Sequence, residues 1–258
     1  MNPKKIIHIA ILSAMVEEVG EFVTKFNLKI KFKFGDLIIY GGRWNNTLGI
    51  DVFLSVAWSG WGKVSAARAV TRLISANEAD YGKIDLILFT GVAGAVDVNL
   101  KQWDIVIANA LIQHDMNAAP LFDKFVIPSL KKSYLEPELF FSNSLFRHLN
   151  YLSQRGKLNN FGTVNLGLIA TGDEFISNKL KLEKLRSEIS NLCAVEMEGA
   201  AVAQVAEQEN IKYLVMRVIS DNADDSAADN FVDFLDKYKK FSSSLIEEVL
   251  KNLLQLLR

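Results

Sequence analysis

The chain has 258 residues, 50% of them apolar, enough for one sizeable core and near the upper limit of what a single core supports. Its 29 basic and 30 acidic residues leave a net charge of −1, so composition excludes a field strong enough to recruit nucleic acid or an anionic lipid surface. A lone cysteine, Cys193, excludes an internal disulfide and reads as a core residue of an apolar run, and no apolar stretch is long enough to span a bilayer.

Taken in chain order, the first apolar run, Ile6–Leu12, follows Lys4-Lys5 and superficially resembles a secretory leader. His8 interrupts it, Glu17-Glu18 follow at once, and no small-x-small cleavage site intervenes. It is read as a first core strand, and a cytoplasmic location is expected. Further runs rich in Ile, Val and Leu follow at Leu37–Tyr40, Asp51–Trp58, Leu86–Thr90, Ile105–Ile112, Val164–Ala170 and Tyr213–Ile219. Several are apolar at nearly every position, as strands covered on both faces are. Helical spacing occupies the gaps: Val16–Phe26, Lys63–Ala76, Ser142–Leu152, the alanine-rich Glu198–Glu209, and Asn230–Leu257, whose length predicts two helices or one bent one. Alternating strands and helices predict an α/β fold, a mainly parallel sheet with helices on both sides and a mixed or curled section where intervening helices are lacking. Residues 118–160 carry Pro120, Pro128 and Pro137 and read as a long excursion within one domain spanning 1–258.

The most informative stretch runs from Ala194 to Asp224. Glu196 and Glu198 in A-V-E-M-E-G-A, then Arg217 and Asp221 in M-R-V-I-S-D-N-A-D, interrupt apolar runs. Charged side chains are almost never fully buried unless paired, so charges at the ends of core strands point to a cleft. A structural ion pair with Arg217 is the simpler account, but Glu196, Glu198, Asp221, Asp224 and Asp225 outnumber that one arginine. Metal binding is a further alternative, with neither a neighbouring histidine nor a calcium-loop pattern to support it. Three other motifs follow strands, where ligands of open α/β sheets bind. A-M-V-E-E-V (Ala14–Val19) places Met15, Glu17 and Glu18 there, although two acids also suit the first turn of any helix. S-G-W-G-K-V (Ser59–Val64) and F-T-G-V-A-G-A (Phe89–Ala95) are glycine turns able to bring backbone amides against a ligand, a phosphate included, or ordinary strand-end turns. His114 follows a strand and could face the cleft; His8 reads as core and His148 as helix surface.

In order, A-M-x-E-E-V, S-G-x-G-K-V, T-G-x-A-G, H-D-M, A-T-G-D-E-F-I, V-E-M-E-G-A and R-V-I-S-D-x-A-D resemble the nucleoside phosphorylase superfamily. The nearest likeness is to its 5′-methylthioadenosine/S-adenosylhomocysteine nucleosidases. The resemblance implies a three-layer αβα domain around a central mixed, partly curled sheet. It implies hydrolysis of the N-glycosidic bond of adenine thionucleosides, releasing adenine and a thioribose, with no metal or organic cofactor. Carried over, Glu18 matches the base that positions water, and Asp221 the acid that protonates the purine at N7, its pKa raised by burial. Arg217 matches an arginine near the attacking water, and Ser220 the neighbour that orients Asp221. Glu198 would bind the ribose hydroxyls with Met197 beneath the sugar, Phe175 would stack on adenine, and the Ile176 backbone would read its edge. Phe231 would close over the thioether end, with Met15, Trp61, Val92 and Glu196 also around the substrate. Two departures stand out: Val92 replaces the usual Ser, and Asn117 follows His114-Asp115 where an acid is common. The glycine turns contain no arginine, which favours water over phosphate as the nucleophile. The resemblance also implies a homodimer whose partner contributes residues near the 5′ pocket. A phosphorylase, a hydrolase of futalosine or another modified adenine nucleoside, and a non-catalytic nucleoside-binding protein are the alternatives.

Overall fold

The structure, a computed structural model, describes residues 6–223 and 227–258; Lys4, Lys5, Asp224 and Asp225 lie outside them. The elements run β1 (Ile7–Ser13), α1 (Val16–Lys25), β2 (Lys29–Phe34), β3 (Leu37–Asn45), β4 (Asp51–Trp58), α2 (Lys63–Tyr81), β5 (Leu86–Ala95) and β6 (Ile105–Gln113). They continue β7 (Tyr134–Leu135), α3 (Leu139–Gln154), β8 (Val164–Thr171), α4 (Lys179–Glu188), β9 (Leu192–Glu196), α5 (Gly199–Gln208), β10 (Lys212–Asp221), α6 (Ala227–Tyr238) and α7 (Ser242–Leu257). Among the described residues, no helix is long and apolar enough to cross a membrane.

All strands join one mixed sheet in the order β10-β6-β8-β9-β5-β1-β4-β3-β2, with β7 on β6. The central pairs β1–β4, β1–β5 and β5–β10 are parallel, whereas β3–β4, β2–β3, β6–β10 and β5–β9 are antiparallel. Because β10 also pairs with β5, the strands β5, β9, β8, β6 and β10 close on themselves, which is the curled section. The continuous apolar runs follow from burial on both faces. Every residue of β1 is buried: Ile7, Ile9 and Ile11 pack toward α1, α3, α6 and α7, while Ala10 and Leu12 pack toward α2 and α5. β2, at the sheet edge, instead exposes Lys29, Lys31 and Lys33, charges that discourage edge-to-edge pairing.

Some elements differ from the sequence expectation. α3 is longer than the stretch from Ser142 to Leu152, whereas the C-terminal segment takes one of its two expected forms, the two helices α6 and α7. α4 is absent from the expectation because it is mostly charged and buries only Leu182 and Leu185; Asn178 starts it by accepting from the Leu180 and Lys181 amides.

His8 is a core residue, as expected. Its Nε2 lies 2.8 Å from the Ser55 hydroxyl, which donates to Asn77 Oδ1 at 2.7 Å. The hydroxyl has one hydrogen and gives it to Asn77, so His8 is the donor through Nε2–H. Burial holds the imidazole pKa down and keeps it neutral. Ser55→Ala would leave buried groups on both neighbours without this partner, an expected loss of about 1–3 kcal/mol in urea unfolding. An unchanged midpoint would contradict the importance of this chain.

Candidate active site

One cavity opens at the carboxyl ends of the central strands, enclosing about 530 Å³ of empty space with its open mouth included. Met15, Glu18, Trp61, Val92, Phe175, Ile176, Glu196, Met197, Glu198, Ser220, Asp221 and Phe231 all border it. Residues from seven separate stretches of sequence therefore converge on a single space. Arg217 does not border it; the guanidinium is fully buried behind the wall. Ala14, Ala93, Gly94, Glu174 and Val195 also line the cavity, each within two positions of a residue singled out above.

Glu18 is placed by the start of α1. Met15 is the N-cap and Glu18 the third helical residue, so its carboxylate turns back to accept from the amides of Met15 at 2.8 Å and Ala14 at 2.9 Å. Its other oxygen accepts from the Val92 amide of the second glycine turn at 2.9 Å. Gly91 permits this approach, since a Cβ there would fall on the Glu18 carboxylate and the Arg217 guanidinium. Burial drives the Glu18 carboxyl above its ordinary range, against the pull of Arg217 and the three amides.

Glu196 ends β9 and stands at the N-terminus of α5, where both oxygens are already engaged. They accept from the Glu198 amide at 3.1 Å, the Gly199 amide at 2.8 and 2.9 Å, the Thr171 hydroxyl and Arg217 Nη2. Arg217, on β10, stacks 4.2 Å from the Phe89 ring and reaches Glu198 at 3.6 Å and Glu18 at 4.0 Å. Glu198 accepts from the Gly62 amide at 2.8 Å. Three buried carboxyls against one guanidinium favour retention of a proton, and burial with Glu196 close by pushes Glu198 up to about 8.

Asp221 is aimed by an irregularity at the end of β10. The β5 register shifts between Ile219 and Asp221, setting Asp221 opposite Gly94. Its oxygens accept from the Ser220 hydroxyl at 2.6 Å and the Ala223 amide at 2.8 Å. Gln102 holds the Ser220 carbonyl at 2.7 Å. Across the mouth, the Phe231 ring meets Phe175 at 5.6 Å and 74°, and Trp61 at 6.2 Å and 90°. Trp61 is 54% exposed.

Both glycine turns spend amides on the protein's own carboxylates. In the first, the Lys63 amide also donates to Asp173 at 2.7 Å. His114 is buried and packs against Gly172, outside the cavity lining. His148, expected on a helix surface, is half-buried, 3.8 Å from Glu248 of α7, because α7 covers α3.

The sequence matches the phosphorylase superfamily over residues 8–251. The chain belongs to this superfamily. It is 33% identical over 246 residues to a 5′-methylthioadenosine/S-adenosylhomocysteine nucleosidase of Haemophilus influenzae (strain PittEE), covering 95% of this chain and 99% of that one. An S-adenosylhomocysteine nucleosidase from Streptococcus pyogenes, in complex with 5-methylthiotubericidin, superposes with a TM-score of 0.83 at 28% identity, over 96% of this chain and 97% of that one. A futalosine hydrolase of Helicobacter pylori superposes with a TM-score of 0.78 at 30% identity, over 95% and 97%. Fold and family are thus those implied by the motifs.

Within this superfamily scaffold, Arg217 is the counterion of a buried acid cluster. Arg217→Met leaves Glu196 without its cation and is expected to cost about 3–5 kcal/mol of stability. Adding Glu196→Gln should recover part of that loss, as read from thermal or urea unfolding. A stable single variant would contradict this account of the cluster.

Proposed function

We propose that this chain hydrolyses the N-glycosidic bond of 5′-methylthioadenosine, S-adenosylhomocysteine or both, releasing adenine and the 5′-thioribose product. The observation that carries the proposal is that Glu18 and Asp221 border one cavity while amides of both glycine turns are already bound to Glu18 and Glu198. An incoming phosphate would have to compete with those carboxylates for the same donors, whereas a water needs only an acceptor. This supports hydrolysis over phosphorolysis.

Departure of adenine leaves an oxocarbenium-like sugar. In this reading Asp221, held by Ser220, gives a proton to N7, so the base leaves neutral. Glu18 takes a proton from the water that attacks the anomeric carbon. Glu198 accepts from the ribose hydroxyls, Met197 lies under the sugar, and Phe175 with the Ile176 backbone holds adenine. Met15, Trp61, Val92 and Phe231 enclose the remainder. Arg217 and Glu196 act through the others, Arg217 as the buried countercharge and Glu196 as its partner at the start of α5. A homodimer belongs to the same reading, with partner residues completing the open mouth beside the exposed Trp61. The reaction is expected to need no cofactor.

The likeness to the Helicobacter pylori futalosine hydrolase keeps a second substrate in view, another modified purine nucleoside with a different 5′ group. Purified protein incubated with methylthioadenosine should release adenine equally with and without phosphate; release that requires phosphate would overturn the hydrolase. Running S-adenosylhomocysteine and futalosine beside it, with the free purine base as the readout in each case, ranks the substrates.

Asp221→Asn is expected to slow adenine release by about 10²–10⁴-fold while the protein stays folded, and wild-type turnover would remove Asp221 from its role. Glu18 works ionised, and its carboxyl is raised by burial. As pH falls through that raised value the base gains a proton, so kcat/KM should drop on the acid side from above the ordinary glutamate range. An acid limb at the value of an unperturbed glutamate would contradict this assignment.

A further inference from the structure

The His114-Asp115 pair lies outside the cavity yet is joined to two of its walls. Asp115 lies just beyond the end of β6. Its Oδ1 accepts from the Lys63 ammonium at 2.6 Å, and its Oδ2 accepts from the Asp173 amide at 3.0 Å. Asp173 closes the triangle, for its Oδ1 accepts from the Lys63 amide at 2.7 Å and its Oδ2 lies 4.0 Å from the Lys63 ammonium. One wall is the turn at Trp61 and Gly62, whose Gly62 amide holds Glu198. The other is the loop from Gly172 to Phe175. A Cβ on Gly172 would fall on the His114 ring, and the His114 amide donates to the Thr171 carbonyl at 2.9 Å. That loop is therefore pressed against the pair as well as bonded to it.

We infer that Asp115, acting through Lys63 and Asp173, is a positioning residue that sets the gap between the adenine-side loop and the ribose-side turn for an adenine nucleoside. This rests on the function proposed above. The side chains of Lys63 and Asp115 are 18% and 34% exposed, so the pair contributes little to global stability. What it fixes is the distance between two chain segments that belong to different elements and share no strand pairing. A misplacement of about 1 Å between binding groups can cost on the order of 10²-fold in catalytic efficiency, so a weak tie can have a large kinetic effect.

The test compares wild type, Asp115→Ala and Asp115→Asn with methylthioadenosine as substrate and adenine as product inhibitor. For Asp115→Ala, KM and the adenine inhibition constant are expected to rise together by about 10- to 10²-fold, with kcat and the melting temperature near wild type. Asp115→Asn keeps one acceptor oxygen and should fall between the two. Amide hydrogen exchange of Asp115→Ala should quicken at residues 61–63 and 172–176 and stay unchanged in β1 and β10. Unchanged KM, or a loss that follows a lowered melting temperature with exchange quickened throughout, would overturn the role. If wild type releases no adenine, the function fails separately, and exchange still judges Asp115: unaltered protection at those two segments overturns the tie.

Discussion

A single buried cation organises this molecule's functional end. Arg217 lies on the central strand β10 with no exposure, and three carboxyls are gathered round it from α1, the end of β9 and the start of α5. A guanidinium so far from water is tolerable only when paired, and so are the acids. The cluster thereby ties the base of the proposed reaction to the carboxylate proposed for the ribose. It also leaves more acid than cation; burial holds Glu18 above its ordinary range, and burial together with the neighbouring Glu196 does the same for Glu198. Glu18, the proposed base, is thus a group that packing has made reluctant to lose its proton.

The glycine turns carry the second constraint. Turns of this kind after a strand are ready-made anion sites because their amides converge. Here the anions are supplied from within: Glu18 occupies the Val92 amide and Glu198 the Gly62 amide. The scaffold keeps the geometry of an anion cradle while filling it with side chains. On this view a change from phosphate to water as nucleophile needs no new fold, only carboxylates long enough to reach the amides.

Much of this was legible in the sequence because charge inside an apolar run is rare and therefore informative. V-E-M-E, R-V-I-S-D and A-M-V-E-E all lie at strand ends, and twelve of the thirteen candidate residues, taken from such motifs or carried over by the family resemblance, border the cavity. Arg217 is the exception. Sequence reports its type and its strand, but Gly91 and Glu196 decide that the guanidinium stays behind the wall. The acceptors of the turn amides were equally hidden, since Gly62 and Glu198 are 136 residues apart. Helix α4 escaped notice because it buries two leucines on an otherwise charged surface, and the closure of β5 on β10 leaves no local signature.

The most direct measurement is a crystal structure with a non-hydrolysable adenine thionucleoside bound at neutral pH. The account predicts one ligand in the cavity with Asp221 within hydrogen-bonding distance of N7. An ordered water should sit on the opposite face of the sugar, held by Glu18 and aimed at the anomeric carbon. A ligand whose N7 turns away from Asp221, or an anion in place of that water, would contradict it.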